Sequence, residues 1–459
     1  MNILLIRANN SGREATLIHP LGLMMLSAVI KKAKKEASVM LLDTRLYPSP
    51  ASVIDKILED FPAEIIGISS MTNESKSAHR LAAAAKKAVP AAKIVIGGPY
   101  PTTAPELALM DANIDCAVIG EGEETFVELV GVLERSGGDL EKVKGLAFMK
   151  NGALLRTPSR ELIEDLDSLP FPDWDAVDIK AYPGHKRMSF LNNDNWMPLF
   201  TSRGCPFSCV FCHKIFGRRF RARSAEKVLE EIGLLQNKYG IREFDIVDDI
   251  FNFSRERAER ICEMIAANRP GIRLSFSNGL RLDLIDEKFI KKLAEAGTKA
   301  LAFPVDTLGE TADRFLGKRT PPEALNRLID RAVGLGILST GFFMLGFPGE
   351  TRAGMLRTVD FAVGSRLHAA EFFAVTPFRG TALWEMSGVK PAEDEYAGGE
   401  YDYFRKTMSP ELRRTQLRAY LRFYGHPGRI IRLLAAYLRV SPLRSVFMRI
   451  ASAFMRIFF

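Results

Sequence analysis

Cysteine is scarce in this chain: its 459 residues hold five, Cys116, Cys205, Cys209, Cys212 and Cys262. An odd number without paired spacing makes no disulfide framework, which points to a reducing compartment. Long apolar runs are missing too: no stretch of about 18 uninterrupted apolar residues occurs, which argues against a simple membrane-spanning chain. The opening Met1-Asn-Ile-Leu-Leu-Ile-Arg7 lacks the charged-then-apolar build of a leader and reads as a first strand, so a cytoplasmic protein is expected. Acidic residues are nearly absent from one region. Positions 405–459 carry twelve Lys and Arg against the single acid Glu411, whereas the other 404 residues carry 51 basic and 54 acidic groups, so the total of +8 belongs to the tail. What remains is ordinary: 47% hydrophobic and 26% charged residues exclude wholesale disorder.

Two strand–helix rhythms run through the chain. Residues 1–140 place strand-like runs at 2–6, 39–42, 64–68, 93–96 and 115–119, with helical patterns between them, which predicts a Rossmann-like α/β domain with a parallel sheet. Small residues cluster at successive strand ends: Ser69, Ser70 and Thr72; Gly97, Gly98, Pro99 and Tyr100; Gly120, Glu121 and Gly122. Any one cluster serves equally well as a plain turn, but three together favour a ligand site. A linker at 141–192, rich in proline and with a hairpin around Asn151-Gly152, leads to a second rhythm at 193–390. Its strand candidates are 199–202, 243–247, 273–277, 300–305, 338–345 and 371–375, a pattern similar to a partial (β/α)6 barrel with its chemistry at the strand C-termini. Residues 391–459 read as a basic amphipathic helical region.

Three of the five cysteines stand in Gly204-Cys205-Pro-Phe-Ser-Cys209-Val-Phe-Cys212, directly after the first barrel strand. Three thiolates on one loop bind three corners of a [4Fe–4S] cubane and leave one iron open to a chelating small molecule. A zinc site needs a fourth ligand, and His213 adjoins Cys212 too closely for the usual spacing.

Thr201-Ser-Arg-Gly-Cys205 and its two further cysteines resemble the radical S-adenosylmethionine (SAM) superfamily. Agreement extends to His213–Ser224, Val247-Asp-Asp249, Asn278-Gly-Leu-Arg281, Gly346-Phe-Pro-Gly349-Glu-Thr351 and Thr376–Thr381. Upstream, Pro20-Leu-Gly22-Leu, Gly97-Gly-Pro99 and Gly120-Glu-Gly122-Glu resemble the cobalamin-binding domain that precedes the barrel in one large class of these enzymes. The resemblance implies a [4Fe–4S] cluster on Cys205, Cys209 and Cys212, SAM on the open iron, and cobalamin in the first domain. It further implies Phe211, Asn278, Arg281, Asp306, Gly346 and Gly349 as SAM-side residues, and the three strand-end clusters as the cobalamin side. Catalytic residues are left open, with Asp248, Asp249 and Tyr100 as candidates. Asp306 stands where many relatives carry a glutamate, and Tyr100 where relatives often carry a histidine.

One motif is missing. Many B12 proteins ligate cobalt through Asp-x-His-x-x-Gly, whereas the matching stretch here is Asp43-Thr-Arg-Leu-Tyr-Pro48. The tail spaces Arg429, Arg432, Ala436 and Arg439, and then Ser445, Arg449, Ser452 and Arg456, as narrow polar faces on apolar helices. Two readings stay open: an anchor on an anionic membrane surface, or a cap on the barrel. No nucleic-acid partner is expected, since the tail has no interspersed lysines and no RNA module. The resemblance implies a cobalamin-dependent radical SAM enzyme, expected to methylate an unactivated carbon of a hydrophobic small molecule such as a lipid, hopanoid or tetrapyrrole. A flavodoxin or ferredoxin would supply its electrons. The alternatives are a non-methylating cyclase or rearrangement enzyme, and a non-catalytic cluster- and B12-binding sensor at a membrane.

Overall fold

Alternating residues of the first strand are buried on both sides, as a parallel sheet covered by helices requires. The computed structural model describes residues 1–9, 17–135, 138–182, 195–318, 320–388, 404 and 406–440. Ile3 and Leu5 of β1 (Asn2–Arg7) pack into one core, and Leu4 and Ile6 into another. The sheet continues with β2 (Ser38–Asp43), β3 (Ile65–Ser69), β4 (Lys93–Gly97) and β5 (Cys116–Val118), all parallel, in the order β2-β1-β3-β4-β5. Helices α1 (Leu21–Ala33), α2 (Pro50–Asp60), α3 (Ser75–Ala88), α4 (Pro99–Thr103), α5 (Pro105–Ala108) and α6 (Glu123–Leu133) connect and cover it. The hairpin expected around Asn151-Gly152 is present: β6 (Leu146–Lys150) and β7 (Ala153–Arg156) add two antiparallel strands to the β5 edge. α6 has no counterpart in the sequence reading, because its start merges with the glycine-rich strand end before it.

The second unit contains a six-stranded parallel sheet of β8 (Trp196–Leu199), β11 (Glu243–Ile246), β12 (Arg273–Phe276), β13 (Thr298–Asp306), β14 (Leu338–Leu345) and β15 (Ala369–Ala374). Neighbours follow in chain order, and β8 does not pair with β15, so the barrel is open. Helices α7 (Ala225–Tyr239), α8 (Arg255–Asn268), α9 (Glu287–Glu295), α10 (Glu310–Leu316), α11 (Pro322–Gly334) and α12 (Arg352–Gly364) lie between the strands, and the short α13 (Ala382–Ser387) follows β15 in the chain. The first barrel strand corrects the sequence reading. It ends at Leu199 rather than Ser202, because Ser202 and Arg203 form a separate strand, β9, paired antiparallel with β10 (Arg221–Ala222).

Two C-terminal helices, α14 (Pro410–Tyr424) and α15 (Pro427–Val440), belong to this second unit. α14 covers the free edge of β15 with side chains that stand in for a missing strand. The Tyr424 hydroxyl accepts from Ala370 N–H at 3.0 Å and donates to Ala370 O, the Tyr420 hydroxyl accepts from Phe372 N–H at 3.1 Å, and Gln416 Nε2 donates to Phe372 O at 2.6 Å. An otherwise exposed strand edge is thereby satisfied. Arg429, counted on the wet face in the sequence reading, is 4% exposed. Its guanidinium donates to the carbonyls of Ala362, Val363, Ser365 and Leu367 at the end of α12 and lies 3.8 Å over the Phe423 ring. The polar face drawn through Ser445, Arg449, Ser452 and Arg456 lies outside the described residues.

Two stability effects follow. Arg429→Met removes the guanidinium from the carbonyls of Val363, Ser365 and Leu367, while Ala362 O keeps its bonds from Ser365, and is expected to cost about 2–4 kcal/mol, read as a lower thermal midpoint. Burial brings His368 down from the ordinary 6.5 to about 4, while its Nδ1 accepts from Ser339 N–H at 3.1 Å. The unfolded chain therefore takes up this proton at a higher pH than the folded one. Stability present above pH 6.5 should fall as the pH drops toward 4, by up to about 1.4 kcal/mol per pH unit. Denaturation midpoints of His368→Gln across that window should show a shallower fall.

Candidate active site

A loop of more than a dozen residues that carries three thiols needs a firm base. Here the chain leaves β8 and is caught by a buried carboxylate. Asp248 Oδ1 accepts from Thr201 N–H at 2.5 Å, and its Oδ2 accepts from the Thr201 hydroxyl at 2.5 Å and the Ser202 hydroxyl at 2.6 Å. Burial raises the Asp248 carboxyl, while Arg257 and these donors pull it down. Asp249 accepts from Gly204 N–H at 3.1 Å, one residue before the first thiol. Arg257 closes the base from the other side, donating to Thr201 O at 2.8 Å and to Arg223 O at 2.6 Å. Asp248 and Asp249, both candidates for catalysis, hold the base of the loop through these bonds, Asp248 buried and Asp249 exposed.

On the loop, Cys209 and Cys212 lie close enough to share a proton, which lowers Cys209 and raises Cys212. Cys209 is buried, 3.6 Å from Leu316 O, and burial raises Cys205. Among the described residues no three His, Cys, Asp or Glu side chains converge as the ligands of one ion do. A cubane presents a separate iron to each thiolate, so thiols spread along one loop fit a cluster rather than a single metal ion. The other two cysteines are core residues: Cys116 and Cys262 are each 2% exposed and pushed up to about 12 by burial.

The barrel-side residues gather around this loop. Phe211 packs with Phe347 at 6.3 Å between ring centroids, bringing the cysteine loop against the Gly346–Gly349 turn. That turn is held by Glu350, whose Oε2 accepts from Gly346 N–H at 2.7 Å and Phe347 N–H at 3.1 Å, while Oε1 accepts from the Thr307 hydroxyl at 3.1 Å. The space beside Gly346 is taken: a Cβ there would stand 2.8 Å from Leu412. Gly349, at φ 75°, adopts a backbone that glycine favours. Arg281 forks onto Asp283 at 2.6 and 2.9 Å, donates to Gly317 O at 3.1 Å and lies 3.6 Å over the Phe207 ring of the cysteine loop. Asn278 Nδ2 donates to Val247 O at 2.9 Å and to Asp248 O at 3.2 Å. Asp306, 6% exposed, pairs with Lys318 and sits at φ 60° beside a bulge in β13. A non-glycine residue in that region costs of order 1–3 kcal/mol and is typical of functional positions. Glu350, Lys318, Arg257 and Phe207 received no role from the sequence. Glu350 and Phe207 stood inside recognised motifs, whereas nothing local marked Lys318 or Arg257.

In the first unit, the order β2-β1-β3-β4-β5 puts a switch point between β1 and β3, beyond whose carboxyl ends ligands of such folds bind. The small-residue clusters lie along these ends. Ser69 O accepts from Ala8 N–H at 3.0 Å, Ser70 N–H donates to Gly97 O at 3.0 Å, and Gly120 N–H donates to the Thr102 hydroxyl at 3.1 Å. A Cβ at Gly120 (φ 79°) would meet no atom within 4 Å, and one at Gly97 only Val118 at 4.0 Å. These two glycines leave an open floor suited to a broad, flat ligand such as a corrin. Gly98 serves a different end: its φ is 93° and a Cβ would stand 2.9 Å from Ser70 O, so the crossing backbone requires glycine. Pro99 and Tyr100 open α4, and Thr72 begins a short helical turn after Ser70. Glu121 accepts from Ile163 N–H at 2.9 Å, and Gly122 caps α6. Tyr100 is 4% exposed, and its hydroxyl lies 3.0 Å from His79 Nε2, whose Nδ1 is 2.8 Å from Asp111. Asp43, where a cobalt-ligand motif would begin, takes both guanidinium arms of Arg45 and the Tyr182 hydroxyl at 2.9 Å.

Comparison with known proteins agrees with both halves. Residues 14–130 match the B12-binding domain model, and residues 199–362 match the Radical SAM superfamily model. An uncharacterized methyltransferase of Pyrococcus horikoshii is 32% identical over 422 residues, 90% of this chain and 89% of that protein. The chain belongs to the B12-binding radical SAM family. It is an enzyme of this kind, and its cofactors are a [4Fe–4S] cluster, SAM and cobalamin. It is also similar to the cytidylyl-2-hydroxyethylphosphonate methyltransferase of Streptomyces wedmorensis (27% identical, 80% of this chain and 77% of that one). The anaerobic magnesium-protoporphyrin IX monomethyl ester cyclase of Rubrivivax gelatinosus is 26% identical, over 90% of this chain and 74% of that one. In fold it resembles the radical SAM methyltransferase TsrM from Kitasatospora setae, solved with cobalamin and a [4Fe–4S] cluster, at TM-score 0.68 and 19% identity over 85% of this chain and 76% of that one.

Replacing Cys209 by Ala should abolish the brown cluster absorbance and SAM cleavage together. Cys262→Ala should keep both, because its thiol is sealed in the core of α8. Iron and sulfide content after anaerobic reconstitution checks both outcomes.

Proposed function

We propose that this enzyme is a cobalamin-dependent C-methyltransferase acting on an unactivated carbon of a hydrophobic small molecule. The observation that carries the radical chemistry is the loop of three thiols, held rigidly at its base and offering no fourth cysteine. Bound together, the reduced cluster and SAM supply a 5′-deoxyadenosyl radical for hydrogen abstraction, and methylcobalamin supplies the methyl group. The chain's own part is to hold and orient. Cys205, Cys209 and Cys212 ligate the cluster, with Phe211 at the wall where adenine would lie. The Gly346–Gly349 turn, fixed by Glu350, and Asp306, fixed by Lys318, line the SAM side. Arg281 ties the end of β12 to the cysteine loop through Phe207, and Asn278 ties it to the end of β11 through Val247 O and Asp248 O. Ser69, Thr72, Gly97 and Gly120 line the cobalamin floor, while Ser70, Gly98, Pro99, Glu121 and Gly122 shape the backbone that makes it. Tyr100, its hydroxyl turned to His79, acts by packing rather than by catalysis. Electrons come from a flavodoxin- or ferredoxin-type donor.

Support for methylation comes from the relatives named as methyltransferases, one of them matched over nine-tenths of this chain. The absence of a second cysteine set argues against sulfur insertion, since Cys116 and Cys262 are buried apart in separate units. A cyclase reading is favoured by the similarity to the magnesium-protoporphyrin enzymes. A hydrophobic substrate, and work at a membrane surface, fit the apolar exterior of the C-terminal helices. No helix among the described residues is long and apolar enough to cross a membrane.

Lipid extracts of cells with and without the gene, compared by mass, should show a product heavier by one CH2 unit, with 5′-deoxyadenosine formed in the reconstituted reaction. Deoxyadenosine without that mass gain would replace methylation by the cyclase reading. No deoxyadenosine with any extract would remove the radical enzyme in favour of a sensor.

A further inference from the structure

The helix α15 is built inside out for a surface helix. Arg429, Leu433, Ala436 and Val440, spaced i, i+4, i+7 and i+11, face inward. Val440 packs with Ala300 of β13 and Leu338 of β14, with Leu433 and Ala436 against them, and Arg429 caps α12. The opposite line, Pro427, Ile431, Leu434 and Leu438, has the same spacing; Pro427, Ile431 and Leu438 are exposed and Leu434 is half-buried. Ile431 is 66% exposed, Leu438 50% and the flanking Ile430 44%. Arg432 and Arg439, seven residues apart, edge this apolar line on one side and are exposed. The neighbouring α14 repeats the plan on its outer side, with Leu417 (45%) and Leu421 (50%) beside Arg414, Arg418 and Arg422, the last paired with Asp360 at 2.7 Å.

A contiguous apolar face of this kind on a folded protein marks an interaction surface. Charge decides among its occupants. Positions 412–459 contain ten arginines, no lysine and no acid. A second copy of this face would bring arginine against arginine. The chain's own residues 441–459 would add Arg444, Arg449 and Arg456 with nothing to neutralise them. An anionic phospholipid surface meets both demands, with acyl chains for the isoleucines and leucines and phosphates for the arginine edge.

We propose that the outer face of α15, centred on Ile431 and Leu438 and edged by Arg432 and Arg439, docks the enzyme on anionic phospholipid membranes, with the outer side of α14 extending the contact. The anchor thus lies on the side opposite Arg429, which is structural. The proposal deepens the reading of a hydrophobic substrate by naming where the enzyme meets it. Docking is measured without turnover, so either idea can fail without the other.

The test is co-sedimentation of the full chain with vesicles of phosphatidylcholine alone, and of phosphatidylcholine mixed with an equal part of phosphatidylglycerol. Wild type should pellet with the mixed vesicles only, and less so as salt rises. Ile431→Glu combined with Leu438→Glu, both outward and remote from the cysteine loop in sequence, should weaken binding by about tenfold or more. Arg432→Ala and Arg439→Ala should each weaken it roughly fivefold. Thermal midpoints of all variants should match wild type. The proposal is overturned if wild type stays in the supernatant, or if the double glutamate variant binds as tightly as wild type, which would move the anchor to residues 441–459. A dimer in light scattering that the glutamate variant splits would give the face to a second copy.

Discussion

A buried carboxylate is the constraint on which the site depends. Asp248 takes three donors from Thr201 and Ser202, two adjacent residues, and so forces the chain to turn out of the barrel sheet at the end of β8. That turn ends β8 at Leu199, before the cysteines are reached. With it, Ser202-Arg203 and Arg221-Ala222 can pair and close the base of the thiol loop, which Arg257 seals through two carbonyls. A buried acid is costly alone, but one that accepts several hydrogen bonds near a cation is a strong local organiser.

From that base the remaining contacts follow in layers. Arg281 clamps the loop by stacking on Phe207, and Phe211 locks it against Phe347. Glu350 then joins the Gly346 turn to Thr307, one residue after Asp306. Asp306 keeps its unfavourable φ because Lys318 pairs with its carboxylate and also donates to Pro304 O at 2.9 Å. The contacts of Arg281, Phe211 and Glu350 each join loops that follow different barrel strands, and Lys318 braces the end of β13 from within its own loop, so these loops act as one rigid rim. Radical chemistry asks for such a rim, because a reactive species must be held and kept from water.

Most of this architecture was legible in the residues. Both strand rhythms, the hairpin at Asn151-Gly152 and the thiol loop are local patterns, and local patterns survive folding. What escaped was set by distant partners. Leu199–Ser202 read as one strand, since nothing in its own sequence shows the pull of a carboxylate 47 residues away. Gly98 and Gly120 looked alike, yet one is demanded by a crossing backbone and the other leaves a surface open. Arg429 shared its helical spacing with Arg432 and Arg439, and only the carbonyls ending α12 made it a core residue. Helical periodicity alone says that a helix has two faces but not which of them meets the barrel, and here the face with the larger exposed isoleucines points outward.

The central claim is that three thiolates on a rigid loop hold a cubane with one iron left for SAM. Mössbauer spectra of the anaerobically reconstituted, iron-57-labelled full chain, recorded with and without SAM, test it most directly. The account predicts a [4Fe–4S] cluster in which one iron site changes its parameters when SAM is added while the other three do not. A spectrum indifferent to SAM, or a cluster that survives replacement of all three loop cysteines, would contradict it.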